Sequence, residues 1–241
     1  MGMEMKWVEI GFTFIYLTMI WSIVIVETIK MNDVPVSDRG VASLFRTAFL
    51  FLIIGDSVLL LTRLVAFNTG SLEYSPFFLG GDVHLAGIGN LATGITMTVF
   101  YLYVMEAWRR RFGKEIGLVY WGVIAVTIMR FIFMAFPQNQ WGNHEPPLDW
   151  SMYRNIFITV SGLAVAALIL IDGIRNNDRP FKYIAYMIFL SYISMWIFIV
   201  NYPAVPWIGV MMMVKTLAYM AVAVISYRAF FIKKSTKSLP G

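Results

Sequence analysis

The chain has no cysteine among its 241 residues and only two histidines, His84 and His144. Disulfides, thiol catalysis, iron–sulfur clusters and thiolate metal sites are therefore excluded, and a multi-histidine metal centre lacks its ligands. No motif calls for a metal or a cofactor. Charge is also scarce: 14% of residues are Asp, Glu, Lys or Arg, against about 25% in a soluble domain. Polar linkers and acidic runs of the kind that separate domains are missing. What is present is apolar, with 59% hydrophobic residues and a mean hydropathy of +0.70. That composition belongs to an integral membrane protein.

A helix needs about 20 consecutive apolar residues to cross the hydrocarbon. Seven stretches qualify, at about 7–29, 46–67, 84–108, 115–136, 152–173, 181–201 and 205–231. The first is too long for a signal peptide, and no small-residue cleavage site follows it. The expected fold is an all-α integral membrane protein, a single seven-transmembrane-helix bundle occupying 1–241. No internal repeat is visible.

Basic residues set the orientation, because cytoplasmic loops collect Lys and Arg. Lys30, Arg39 and Arg46 fall between helices 1 and 2; Arg109, Arg110, Arg111 and Lys114 between helices 3 and 4. Arg175, Arg179 and Lys182 fall between helices 5 and 6; Arg228, Lys233, Lys234 and Lys237 follow helix 7. The other side has Lys6 alone. The N-terminus is therefore expected outside and the C-terminus in the cytoplasm, in the cell (inner or plasma) membrane. This distribution also accounts for the net charge of +5 without a nucleic-acid partner. Trp7, Trp141, Trp150 and Trp207 at the outer boundary, with Trp108 and Trp121 near the inner one, match the interfacial preference of indole. Two long outer loops are rich in Pro, Gly and aromatics: Tyr74, Pro76, Phe77 and Phe78 in one, Pro137, Trp141, Pro146, Pro147 and Trp150 in the other. They either cap helix ends or fold over the bundle as a lid.

Four basic residues, Arg63, Arg130, Arg154 and Lys215, lie within spans. Each costs at least ~2.5 kcal/mol at the bilayer centre unless paired or hydrated. At ~1.5 Å per residue, Lys215 and Asp56 fall near the midplane. Arg130 lies below the outer end of helix 4, while Arg63, Arg154 and His84 sit near the outer surface. Asp56 and Arg63, seven residues apart, share a face of helix 2, and Lys215 shares one with Tyr219 on helix 7. Asn90, Gly94, Thr98 and Tyr101 lie close to one face of helix 3, and Gly89, Thr93 and Thr96 form a small face beside it that suits close packing. For Arg63, Arg130 and Arg154 the plain alternative is snorkelling to the interface. For Lys215 it is a structural ion pair with Asp56. Glu9 is a further potential partner for the arginines, and Met211–Met213 read as filler.

Several strings resemble a family of uncharacterised seven-helix inner-membrane proteins of Firmicutes and related bacteria. They are Gly55-Asp56-Ser57 with Arg63; Thr93 through Tyr101; Phe136 through Trp141; Tyr153-Arg154-Asn155-Ile156; and Lys215 through Tyr219. The resemblance spans most of the chain and implies the same fold and orientation, but no activity. The family tends to have His where Leu59 stands, Lys where Asn90 stands, and Pro where Val214 stands.

The leading functional expectation is an outward-opening polar pocket that binds or transports a small anionic or lipid-like ligand. Its candidate residues are Asp56, Arg63, His84, Asn90, Thr98, Arg130, Arg154, Asn155, Lys215 and Tyr219, since clustered guanidinium groups suit carboxylates and phosphates. A retinal-type photoreceptor using Lys215 is an alternative. Against it, Met211 stands where microbial rhodopsins carry Asp, and helix 3 has no Arg and Asp pair. A membrane-embedded lipid-modifying enzyme is another alternative, but no nucleophile–base pair is legible. A receptor or assembly subunit would have only short basic loops to offer a partner beyond the lipid bilayer itself.

Overall fold

The computed structural model describes residues 3–68, 85–142, 147–201 and 204–232, with the side chains of 3–7, 9, 66–68, 85, 86 and 206 excepted. It contains α1 (Met3–Ile29), α2 (Val36–Asn68), α3 (Leu85–Arg111), α4 (Leu118–Ala135), α5 (Leu148–Arg175), α6 (Arg179–Asn201) and α7 (Val210–Phe230). All seven are long and apolar enough to cross a membrane. Each helix packs on its neighbours in chain order, and α7 closes the ring against α1. α2 also meets α7, and α3 crosses the interior to meet α5. His84, the side chain of Glu9, the Tyr74–Phe78 part of the first outer loop, and Lys233, Lys234 and Lys237 lie outside the described residues.

Two helices extend well beyond their apolar stretches. α2 begins at Val36, ten residues before the expected start, with the amides of Asp38 and Arg39 both bonded to the Pro35 carbonyl at 2.9 Å. Arg39 and Arg46 therefore ride on a helix, not in a loop. α3 likewise continues through Arg109, Arg110 and Arg111, which occupy its last turn, where cations complement the helix dipole. Hydrophobicity marks the length of chain that suits lipid; backbone hydrogen bonding continues past it.

The basic end of the bundle is stitched by ion pairs. Glu106 takes Arg109 and Arg110, each at 2.7 Å. Arg111 joins Asp38 on α2 (2.8 Å) to Asp178 in the α5–α6 turn (2.9 Å), and stacks over Phe181 and Phe230. Asp178 also accepts the Phe181 amide at 3.2 Å and so caps α6. Buried Asp172 holds Lys114 at 2.7 Å and the Trp108 indole N–H at 2.9 Å. Within this end lies a core of interlocked rings, with Phe45 edge-on to Phe181 (5.8 Å) and Phe49 edge-on to Phe100 (5.4 Å).

The opposite half is looser. No residue at 10–15, 56–59, 90–96, 196–201 or 210–217 is buried. Burial along α6 ends at Met195, and along α7 it begins only at Ala218. The main exception is the α2–α3 contact. The Thr93 hydroxyl lies 3.3 Å from the Gly55 carbonyl, and Gly89 abuts the backbone of Leu59. A Cβ on Gly55 would come to 3.2 Å from the Cα of Thr93 and overlap the Thr96 hydroxyl. Gly122, facing away on α4, has nothing within 4 Å of such a Cβ. Gly55→Ala is thus expected to destabilise the protein by about 1–3 kcal/mol, whereas Gly122→Ala is neutral or slightly stabilising. Thermal unfolding of both variants in one detergent checks the contrast.

Candidate functional site

Arg130 lies five residues before the end of α4 and points into the ring, with 5% of its surface exposed. Its Nη1 donates a short hydrogen bond to the Thr98 hydroxyl on α3. Thr98 donates its own proton to the Gly94 carbonyl at 2.7 Å, so its oxygen is free to accept from the guanidinium. Nε is buried with no hydrogen-bond partner. The space over Gly94 is filled by the Met134 methyl, 2.9 Å from where a Cβ would stand, with Nη2 farther off at 4.0 Å. The bond to Thr98 is the guanidinium's one hydrogen bond among the described residues.

Three tyrosines lie within electrostatic reach of Arg130. The hydroxyls of Tyr101 (α3) and Tyr219 (α7) share a hydrogen bond of 2.7 Å, and Ser191 Oγ lies 3.4 Å from the latter. Tyr192 (α6) donates to the Ile158 carbonyl at 2.7 Å. Gly162 makes this possible, since any Cβ there would overlap the Tyr192 ring. Together these rings floor the looser half of the bundle.

On the other side of the ring, Asp56 accepts the Tyr16 hydroxyl at 2.7 Å, and Trp21 donates to Ser57 at 3.1 Å. These bonds dock α1 on α2. Lys215 on α7 is within electrostatic reach of both Asp56 and Arg130. Its Nζ lies 3.8 Å from the Met195 sulfur, a weak acceptor. Among the described residues no direct ion pair joins Asp56 to Lys215, although each lies within electrostatic reach of the other. Tyr16, not the lysine, is the immediate partner of the acid. Lys215 lies about a third of the way in from the start of Trp207–Phe230, and Asp56 about a third of the way in from the end of Val36–Val65.

The structure thus gathers Asp56, Thr98, Arg130, Lys215 and Tyr219 around one centre. Arg154 belongs elsewhere. Its Nη1 donates to Asn139 Oδ1 (3.2 Å), its Nη2 to Ser151 (3.0 Å), and its guanidinium stacks 4.4 Å from the Trp141 ring centre. Asn139 in turn donates to the Phe136 carbonyl at 3.0 Å, and Trp141 to the Met134 carbonyl at 2.9 Å. These contacts cap α4 with the α4–α5 connection, and Arg154 also lies within electrostatic reach of Arg130. The same connection lays the Trp141 carbonyl against Gly87 at the start of α3. Asn90 is exposed, and Arg63 and Asn155 are half-buried. Among the described residues no three His, Cys, Asp or Glu side chains gather as a metal site.

Sequence reasoning missed Tyr16, Tyr101 and Tyr192 as polar partners, and above all Glu27. This side chain is wholly buried near the basic end of α1, and neither carboxyl oxygen has a hydrogen-bond partner among the described residues. Its signal was the spacing Tyr16, Ile20, Val24, Glu27, which is one inward stripe of α1. Arg46 is near enough to act on it electrostatically but does not touch it. A buried carboxyl without partners is unfavourable by several kcal/mol. Glu27→Leu is therefore expected to raise the melting temperature in detergent by a few degrees. A fall of similar size would show that the carboxyl is satisfied in the folded protein. No family model, curated protein or solved structure matches the chain.

Proposed function

We propose that the chain is a multi-pass protein of the cell membrane, N-terminus outside and C-terminus cytoplasmic, that binds or transports a small anionic or lipid-like ligand in the polar centre of its outer half. One observation carries this reading: among the described residues the buried Arg130 guanidinium makes a single hydrogen bond and leaves Nε unpartnered. Burying a cation without satisfying its donors is unfavourable, and an anion supplies what is missing. Lys215 adds a second cation, with a thioether as its nearest partner. Arg130 and Lys215 formally outweigh Asp56, so the centre carries an excess positive charge. The basic residues gathered at the other end support the orientation. The resemblance to the Firmicutes family agrees with this placement.

Two experiments test the reading. The chain has no cysteine, so single cysteines report sidedness cleanly. Gln138→Cys, in the α4–α5 connection, should react with a membrane-impermeant maleimide on intact cells. Glu115→Cys, in the α3–α4 connection, should react only after permeabilisation; the reverse pattern would invert the topology. Native mass spectrometry of protein released gently from detergent should show an anionic adduct on the wild type and none on Arg130→Ala. An adduct that survives in Arg130→Ala would remove the site.

A further inference from the structure

We infer that Glu27 is a proton-binding site at the basic end of the bundle, and that its carboxyl takes the guanidinium of Arg46 as partner when the proton leaves. This site is separate from the one at Arg130, and neither depends on the other. Glu27 is wholly buried, and neither carboxyl oxygen has a hydrogen-bond partner among the described residues. Four other acids at this end are all paired. Glu106 takes Arg109 and Arg110, Asp38 and Asp178 take Arg111, and Asp172 takes Lys114 and the Trp108 indole. An ionised carboxylate is not stable unpaired at such a place, because a lone buried charge costs far more than a buried neutral group. A proton removes the charge. It is also the ligand that needs no space, and both oxygens are sealed from contact with water or an ion.

Arg46 makes the proton exchangeable. It is the one charged group that the described residues bring within electrostatic reach of Glu27; α7 and the Met31–Asp33 turn, which also pack on α1, bring none. Arg46 is half-buried on α2, and its Nη2 lies 3.5 Å from the Ser43 hydroxyl, the far limit of a hydrogen bond. It is therefore weakly held where it stands. While Glu27 keeps its proton, the arginine rests on Ser43, one turn back along its own helix. Once the proton leaves, the carboxylate is the stronger acceptor, and the arginine turns to it. Glu27 shares its stripe of α1 with Tyr16, but eleven residues separate them, about 16 Å along the helix. Ile20 and Val24, both buried, fill the interval. The proton thus exchanges at the basic end and not with Asp56.

The test is infrared spectroscopy of the reconstituted full-length protein. At neutral pH wild type should show the C=O stretch of a carboxylic acid free of hydrogen bonds, and Glu27→Gln should lack it. Labelling wild type with ¹³C-glutamate should move the band; this separates it from Asp56 and keeps the test decisive if the glutamine variant does not fold. The band should shift in deuterium oxide and disappear as the pH is raised. Arg46→Gln removes the cation that favours the ionised form, so the band should persist to about tenfold lower proton activity. No free-acid band at neutral pH, or one that ¹³C-glutamate leaves in place, would overturn the proton site. A band blind to deuterium oxide or to rising pH would overturn the exchange. An unchanged midpoint in Arg46→Gln would overturn the role given to the arginine.

Discussion

A guanidinium in a low-dielectric interior must spend its donors, and the way Arg130 spends them organises the looser half of this bundle. Thr98 takes one N–H, which ties α4 to α3 across an interface that has few other contacts. Tyr101, Tyr192 and Tyr219 place phenolic oxygens within electrostatic reach and link α3, α6 and α7 beneath it. Among the described residues Nε remains unspent. In a soluble protein an unused donor would find water; within a span it has a cost that the proposed anion would offset.

The basic end supplies the rigidity that such a centre needs. Interlocked phenylalanines fill the interior, and Arg111 ties α2 to the α5–α6 turn. Lys114 and Trp108 both bond Asp172. The α2–α3 contact, backed by Gly55 and Gly89, carries this order toward the other end. Asp56 follows Gly55 directly in sequence, so this close α2–α3 approach also places the acid. Arg154 does the corresponding work at the opposite end, holding the Phe136–Trp141 turn over α4 by one hydrogen bond to Asn139 and an indole stack on Trp141.

Much of the fold was legible because lipid imposes one strong rule: seven long apolar runs, punctuated by basic clusters, give seven helices. Boundaries were less legible. Hydrophobicity does not report that α2 starts at Val36 or that α3 ends at Arg111, since the extra turns are polar and their backbone is satisfied regardless. The centre was partly legible, because Asp56, Arg130 and Lys215 are conspicuous in apolar surroundings. Their pairing was not. Tyr16 and Tyr101 look like ordinary interfacial or core aromatics until the bundle brings Tyr16 to Asp56 and Tyr101 to Tyr219. Arg154 and Asn139 stand 15 residues apart, and only the fold of the connection turns them into a cap. Glu27 escaped notice because it lies two residues from the helix end, where an acid is usually solvated; the stripe it shares with Tyr16 and Ile20 was the available clue.

The most direct test of the account is a magnetic-resonance distance between ¹⁵N-labelled arginine and an isotope-labelled anionic ligand in the reconstituted protein. The account predicts dipolar coupling from a single arginine side chain, at a contact consistent with an N···O separation of about 2.8 Å, and its loss in Arg130→Lys. Coupling that persists in that variant, or no coupling when the ligand is bound, would contradict it.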